Sequence, residues 1–248
     1  MKHLHKKAAV SAPEIPATPF LRSYLRGRYV WLMFGLLFTT MIGPLIGTFG
    51  ILHEFYVGDL VLLVLFVIIA TTFFRSVRPA FILGFMMFGA ITFGALSRLD
   101  SMPVVPLSIT GATFETSLLL YMTYLVSREV FTTSSIDADT IFGSISIYLL
   151  LGAIFAELYS IALTIDPQSF NGMVSLVDAD PSLGPNRSMM YYSFTTLTTL
   201  GYGDISPVNT ICRTIANLEA IIGQLYLTVL VARLVGQHIA ITSIQGKA

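Results

Sequence analysis

Long apolar stretches separated by short polar breaks run through most of the chain. A helix that crosses a bilayer needs roughly 20 mostly apolar residues. Six stretches come near that length, at about Tyr29–Ile51, Val57–Phe74, Pro79–Leu96, Gly111–Val126, Ile141–Ile165 and Ile211–Val235. Gly43-Pro44 predicts a bend in the first. The fourth carries Glu115, the fifth Glu157 and the sixth Glu219. Between the fifth and sixth, Met189 to Asp204 is too short and too polar to span. The apolar runs are continuous rather than alternating, which disfavours a transmembrane β-barrel.

Composition strengthens this reading. Hydrophobic residues make up 54% of the 248, charged residues only 11%, and the mean hydropathy is +0.77. A soluble domain needs more polar surface than that. The class expected is therefore an all-α, polytopic membrane protein. Formal net charge is zero, which points to no nucleic-acid partner. Cys212 is the single cysteine, so neither an intrachain disulfide nor a cysteine-based metal cluster can form. No Gly-rich phosphate loop, metalloprotease helix or nucleophile triad pattern is present, so an enzyme is not expected.

Charge placement sets the orientation. Prolines and Glu14 break the first 20 residues, so residues 1–28 read as a cytoplasmic tail rather than a signal peptide. Arg22, Arg26 and Arg28 fit either a positive-inside flank or a short interfacial helix on anionic lipid. With the N-terminus inside, the cytoplasmic side also receives Arg75, Arg78, Arg128, Arg233 and Lys247, and the outside only Arg98, Arg187 and Arg213. Both termini are then cytoplasmic, in a multi-pass protein of the cell membrane. Met189–Asp204 lies at the outer face. The preceding outer loop carries Asp166, Asp178 and Asp180; it reads equally as a cation-concentrating rim or as an ordinary solvated loop.

The most informative stretch is Thr198-Thr199-Leu200-Gly201-Tyr202-Gly203-Asp204. Glycine takes positive φ at little cost, so such a run can aim successive carbonyls to one side. A row of aimed carbonyls suits a dehydrated monovalent cation. Met189–Thr198 reads as a short re-entrant helix whose negative end would favour a cation. Irregular backbone at membrane depth must lie inside protein or line a water cavity.

This stretch resembles the selectivity filter of potassium channels. The resemblance extends over roughly Ile141 to Gly236, through Thr195-Thr196-Leu197, Ile205-Ser206-Pro207, Arg213, Glu219, Gly223 and Val231–Gly236, and reads as a helix–pore loop–helix module. It implies six transmembrane helices plus a re-entrant pore helix and filter, with four copies forming one pore. No second Gly-Tyr-Gly occurs, so each chain would supply one wall of a homotetramer. Thr199 would offer its hydroxyl and carbonyl to K+, and Leu200, Gly201 and Tyr202 their carbonyls. Gly201 and Gly203 would permit the backbone angles, and Asp204, Thr198 and Glu219 would support the filter from behind. K+ is then the permeant ion and no cofactor is implied; lipids and other copies of the chain are the remaining partners. Leu200 stands where Val or Ile is more frequent, Tyr191 and Tyr192 where many members carry tryptophan, and Thr195 where some carry a glutamate.

Three points stay open on the sequence. Glu219 reads as a filter support or as a generic interhelical bond, and Glu157 favours neither. Gly223 reads as a gating hinge or as a close-packing site. The first four segments, residues 29–131, stand where a voltage sensor would. Yet Gly111–Val126 holds no Arg or Lys, whereas a sensor needs several, since each charge contributes only about 2.3 kcal/mol per 100 mV. Glu115 and Glu54 read as isolated. Gly84, Gly89 and Gly94 suit tight helix packing. Thr132–Thr140 reads as a polar linker to a pore domain at 136–240, followed by a short tail at 241–248. A potassium-selective channel is the leading expectation. A weakly selective cation channel and a non-conducting structural subunit are the alternatives.

Overall fold

The computed structural model describes residues 27–38, 40, 77–97, 99, 103–133, 137–172 and 185–245. Among them are helices α1 (Arg28–Leu37), α2 (Val77–Leu96), α3 (Val104–Thr132) and α4 (Ala138–Ile165). Strand β1 (Phe170–Asn171), helix α5 (Pro185–Leu197), strand β2 (Ser206–Pro207) and helix α6 (Thr210–Gln245) follow. Four of the described helices are long and apolar enough to cross a membrane: α2 over Pro79–Leu96, α3, α4, and α6 over Thr210–Gly236. The expected second span, the Gly43-Pro44 bend, Glu54, Asp178, Asp180 and the tail before Gly27 lie outside the described residues.

The helix ends differ from the apolar boundaries for local reasons. Helix α3 starts at Val104 rather than Gly111, with Pro106 in its first turn, where a missing N–H breaks no intrahelical bond. It runs on through Arg128 and Glu129 to Thr132. Helix α4 starts at Ala138 because Asp137 caps it, accepting from the Thr140 backbone N–H at 2.9 Å and the Thr140 hydroxyl at 2.7 Å. The polar stretch Thr132–Thr140 thus includes the end of α3 and the start of α4. Asp139, in the first turn of α4, accepts from the Tyr29 backbone N–H at 3.0 Å and so fixes the start of α1.

Two apolar cores result. The larger joins α1 (Leu32, Leu36), α2 (Leu83), α3 (Leu118, Met122, Val126) and α4 (Leu150). Its α2–α3 contact is close: a Cβ on Gly89 would meet the Phe114 ring at 2.6 Å. The smaller gathers Phe155 and Tyr159 of α4, Phe170 of β1, Met189 and Tyr192 of α5, Ile205, and Cys212 of α6. It includes side chains of α5, which precedes residues 198–204, and Ile205, which follows them. Glu115, read as isolated in the sequence, is not so placed: it lies near enough to Glu157 across α3 and α4 for their charges to interact.

One contact joins the far end of α6 to the first half of the chain. Arg233 donates through Nη2 to the Val130 carbonyl at 2.7 Å and the Thr133 carbonyl at 3.1 Å. Its guanidinium also lies 5.1 Å from the centre of the Phe131 ring. The last carbonyls of a helix lack intrahelical partners and carry partial negative charge, so a guanidinium there is doubly favourable. With the Tyr29–Asp139 bond, this contact ties the first segments to the pore half by polar groups at two places among the described residues.

Candidate functional site

Helix α5 is short, and it ends where two threonines meet glycines. Its last turn hands its carbonyls to the segment that follows. Thr198 N–H donates to Phe194 O at 3.1 Å and Thr199 N–H to Thr196 O at 2.9 Å. Leu200 and Gly201 N–H both donate to Thr195 O, at 2.8 and 3.0 Å. The amides at the base of the segment therefore face α5. Among the described residues nothing donates to the carbonyls of Thr199 to Gly203.

Backbone angles complete the arrangement. Thr199, Gly201 and Gly203 have φ of 58°, 50° and 81°, while Leu200 and Tyr202 between them do not enter the positive region. Reversing φ at every second residue turns alternate peptide planes over, so successive carbonyls can face one side. The two glycines are required by angle rather than by room, since a Cβ on either meets nothing within 4 Å in this chain. Thr199 is the exception, the one non-glycine residue with positive φ among those described. A β-branched residue held there costs on the order of 1–3 kcal/mol, a strain that clusters at functional sites. The segment is open on its far side, with Leu200 56% and Tyr202 68% exposed.

The outer end of the segment is held by tyrosine. Tyr191 donates its hydroxyl to Asp204 Oδ2 at 2.8 Å, and its ring stacks on Tyr202 at 6.3 Å with an interplanar angle of 7°. Its phenol is pushed up to about 12, first by partial burial and then by the hydrogen bond to Asp204 and its charge. Thr195, at the position where a glutamate was weighed in the sequence, instead turns its hydroxyl to Tyr192 O at 2.9 Å. Beyond Asp204, the segment is clipped to the end of α4. Strand β2 pairs antiparallel with β1, and Val208 N–H donates to Ser169 O at 2.8 Å. Asn209 then caps α6, accepting from Cys212 N–H at 2.8 Å and donating to Ser169 Oγ at 3.0 Å.

Behind the segment, Glu219 is fully buried. Tyr159 of α4 donates to its Oε2 at 2.7 Å, and Ser193 of α5 lies against its Oε1. Ser193 also reaches Gly152 O at 2.7 Å. One carboxyl thereby joins α4, α5 and α6. The sequence pointed to Glu219 but not to its partners; polar side chains at membrane depth, Tyr159 and Ser193, were the available signal.

Gly223 faces the end of α5. A Cβ there would overlap the Leu197 carbonyl oxygen and lie 2.9 Å from Leu197 Cδ1. The same carbonyl accepts from Tyr148 of α4 at 3.2 Å. Tyr148 in turn stacks on Tyr226 of α6, whose hydroxyl donates to Ser144 O at 2.7 Å. This contact gives Gly223 a packing reason whatever its role in motion. Gly223→Ala would push α5 and α6 apart, so that substitution alone does not isolate a hinge. Thr198 turns its hydroxyl back to Phe194 O at 2.6 Å. The structure thus brings Thr198–Asp204, Glu219 and Gly223 around α5, with Asp204 at Tyr191, Glu219 at Ser193 and Gly223 at Leu197.

Residues 186–238 match a family model described as an ion channel. The match runs from α5 through the Thr198–Asp204 segment and most of α6. It supports ion channel function and, with four described helices able to cross a membrane, a membrane protein. No curated protein and no solved structure matches the chain. Within the matched channel region, the site geometry above belongs to the stretch between the two helices.

Proposed function

We propose that the protein is a potassium-selective channel in which four copies of the chain surround one filter. The observation that carries this reading is the alternation of positive φ at Thr199, Gly201 and Gly203, with the amides below tied to α5 and the carbonyls left unpaired. Such a row replaces the water around a dehydrated cation. The carbonyls of Thr199, Leu200, Gly201 and Tyr202 and the Thr199 hydroxyl are the K+ ligands. Gly203 closes the alternation, while Asp204, Thr198 and Glu219 hold the segment from its outer end and from behind.

The membrane environment also favours assembly. The segment exposes irregular backbone at membrane depth, which lipid cannot satisfy. Other copies of the chain around a water-filled axis can. Conduction is passive, with K+ as cargo and no cofactor. The termini lie in the cytoplasm and the filter at the outer face of the cell membrane.

The test is reconstitution of the purified chain in proteoliposomes. Rubidium uptake is expected, abolished by Gly201→Asp, with bi-ionic reversal potentials that favour potassium over sodium. Equal potassium and sodium permeability would replace this reading with a weakly selective cation pore. No flux under any voltage, pH or tension would leave a non-conducting subunit.

A further inference from the structure

Just inside the filter segment, one carboxamide is carried into place by packing. Because Gly223 has no side chain, α6 passes the end of α5 at backbone distance. The next residue, Gln224, is exposed on the face of α6 beside Thr199. Its Nε2 lies 3.2 Å from Thr199 Oγ1 and donates to it. Thr199 is the same residue that holds positive φ without being glycine. The neighbouring hydroxyls are occupied elsewhere: Thr198 bonds to Phe194 O at 2.6 Å, and Thr228, one turn along α6, to Gln224 O at 2.8 Å. Gln224 is thus the polar side chain that meets the inner end of the segment.

The chemistry follows from the hydroxyl's inventory. A threonine hydroxyl has one proton and two lone pairs. The amide of Gln224 occupies one lone pair and restrains rotation about the Cβ–Oγ1 bond. The proton turns aside, and the second lone pair is left for a cation. Once Nε2 is engaged, the amide oxygen of Gln224 points elsewhere and is an acceptor for the water of an arriving ion.

We propose that Gln224 is a positioning residue, orienting the Thr199 hydroxyl as a cation ligand and, in four copies, forming an amide ring at the inner mouth of the filter. The inference rests on the reading of Thr199 to Gly203 as a K+ filter. It assigns Gln224 control over how tightly the innermost site holds a potassium-sized cation that enters from the cytoplasmic side.

Barium, with nearly the radius of potassium and twice the charge, is the probe. Inhibition of potassium current by barium on the cytoplasmic side is measured in planar bilayers, for wild type and for Gln224→Met, Gln224→Asn and Gln224→Glu. Methionine keeps the length without the amide, and asparagine keeps the amide without the reach. Both are expected to weaken inhibition about three- to tenfold, the worth of one hydrogen bond. Glutamate can only accept and adds a negative ring, so it is expected to strengthen inhibition. A reversal potential that still favours potassium over sodium in a variant shows that its filter has not collapsed. Barium inhibition within twofold of wild type in all three variants overturns the inference and leaves the channel reading intact. Absence of any wild-type current overturns both. Should methionine prevent assembly, the asparagine and glutamate variants, which move in opposite directions, decide.

Discussion

Helices α4 and α6 are close in apolar character, yet 61% of the most apolar stretch of α4 is buried within the chain and only 11% of that of α6. Helix α4 contributes to both cores; α6 presents Leu218, Ile221, Leu225 and Val229 to the outside, each more than half exposed. Exposure alone does not call for a protein partner. Helix α2 shows Phe81, Phe85 and Phe88 just as openly, and lipid is an adequate neighbour for such a face. What separates α6 from α2 is the segment beside it. Lipid can cover Phe85; it cannot cover the unpaired carbonyls of Thr199 to Gly203. A helix completed within its own chain and a helix that borders an incomplete site can therefore share one apolar signature.

The contrast is sharpest under charge substitution. Leu150→Asp buries a carboxyl in the α4 core and is expected to abolish the folded chain, read by loss of helical circular dichroism and of a monodisperse peak in detergent. Leu225→Asp should leave helical content unchanged while light scattering shows the proposed tetramer reduced to single chains. Phe85→Asp on α2 is the control that leaves assembly intact in detergent. If Leu225→Asp assembles normally, the exposed stripe of α6 is a lipid face and the comparison collapses.

Smaller effects probe the ties that α6 does make within its chain. Glu219→Leu strands the Tyr159 hydroxyl, while Ser193 keeps the Gly152 carbonyl, and is expected to lower stability by about 1–3 kcal/mol, whereas Glu219→Gln, which keeps partners for both, should lose much less. Thermal unfolding in detergent compares them. Arg233→Met removes two charge-assisted bonds to the end of α3 and is expected to cost about 1.5–3 kcal/mol, and hydrogen exchange should rise in the last turn of α3. Equal protection in both proteins would show that the tie bears no load.

The least costly perturbation is a titration at the outer end. A phenol raised from 10.0 to about 12 binds its proton more tightly in the folded chain. Its contribution is fully present below the ordinary phenol value and is lost as pH rises through about 12. The ultraviolet signal absent from Tyr191→Phe should therefore appear near pH 12. Asp204→Asn should move it down only some of the way, because partial burial, the larger cause, remains.

The sequence made the spanning helices α2, α4 and α6 legible because unbroken apolar runs have few other uses. It left the ends of α3 and α4 less clear, since Pro106 and Asp137 act through backbone groups that hydropathy does not weigh. The segment Thr198–Asp204 was legible from its two glycines alternating with larger residues and from its resemblance to a potassium-channel filter. The positive φ of Thr199 was not, because nothing in a threonine announces it. Glu219 stood out as an acid among apolar residues. Its partners lie 60 and 26 positions away along the chain, and only tertiary packing joins them. Arg233 read as one more cytoplasmic charge, and its bonds to Val130 and Thr133 depend on where α3 stops.

That last contact sets a tolerance. The Arg233 bonds are already 2.7 and 3.1 Å long, and such bonds weaken beyond about 3.2 Å. Rigid displacement of the lower portion of α6 away from α3 by more than a fraction of an ångström therefore has two outcomes. The end of α3 travels with it, or both bonds break together. Slack in the arginine side chain is limited by the Phe131 ring beneath the guanidinium. The inner half of the channel region and helix α3 beside it thus share a coordinate of motion, with a release threshold fixed by one side chain.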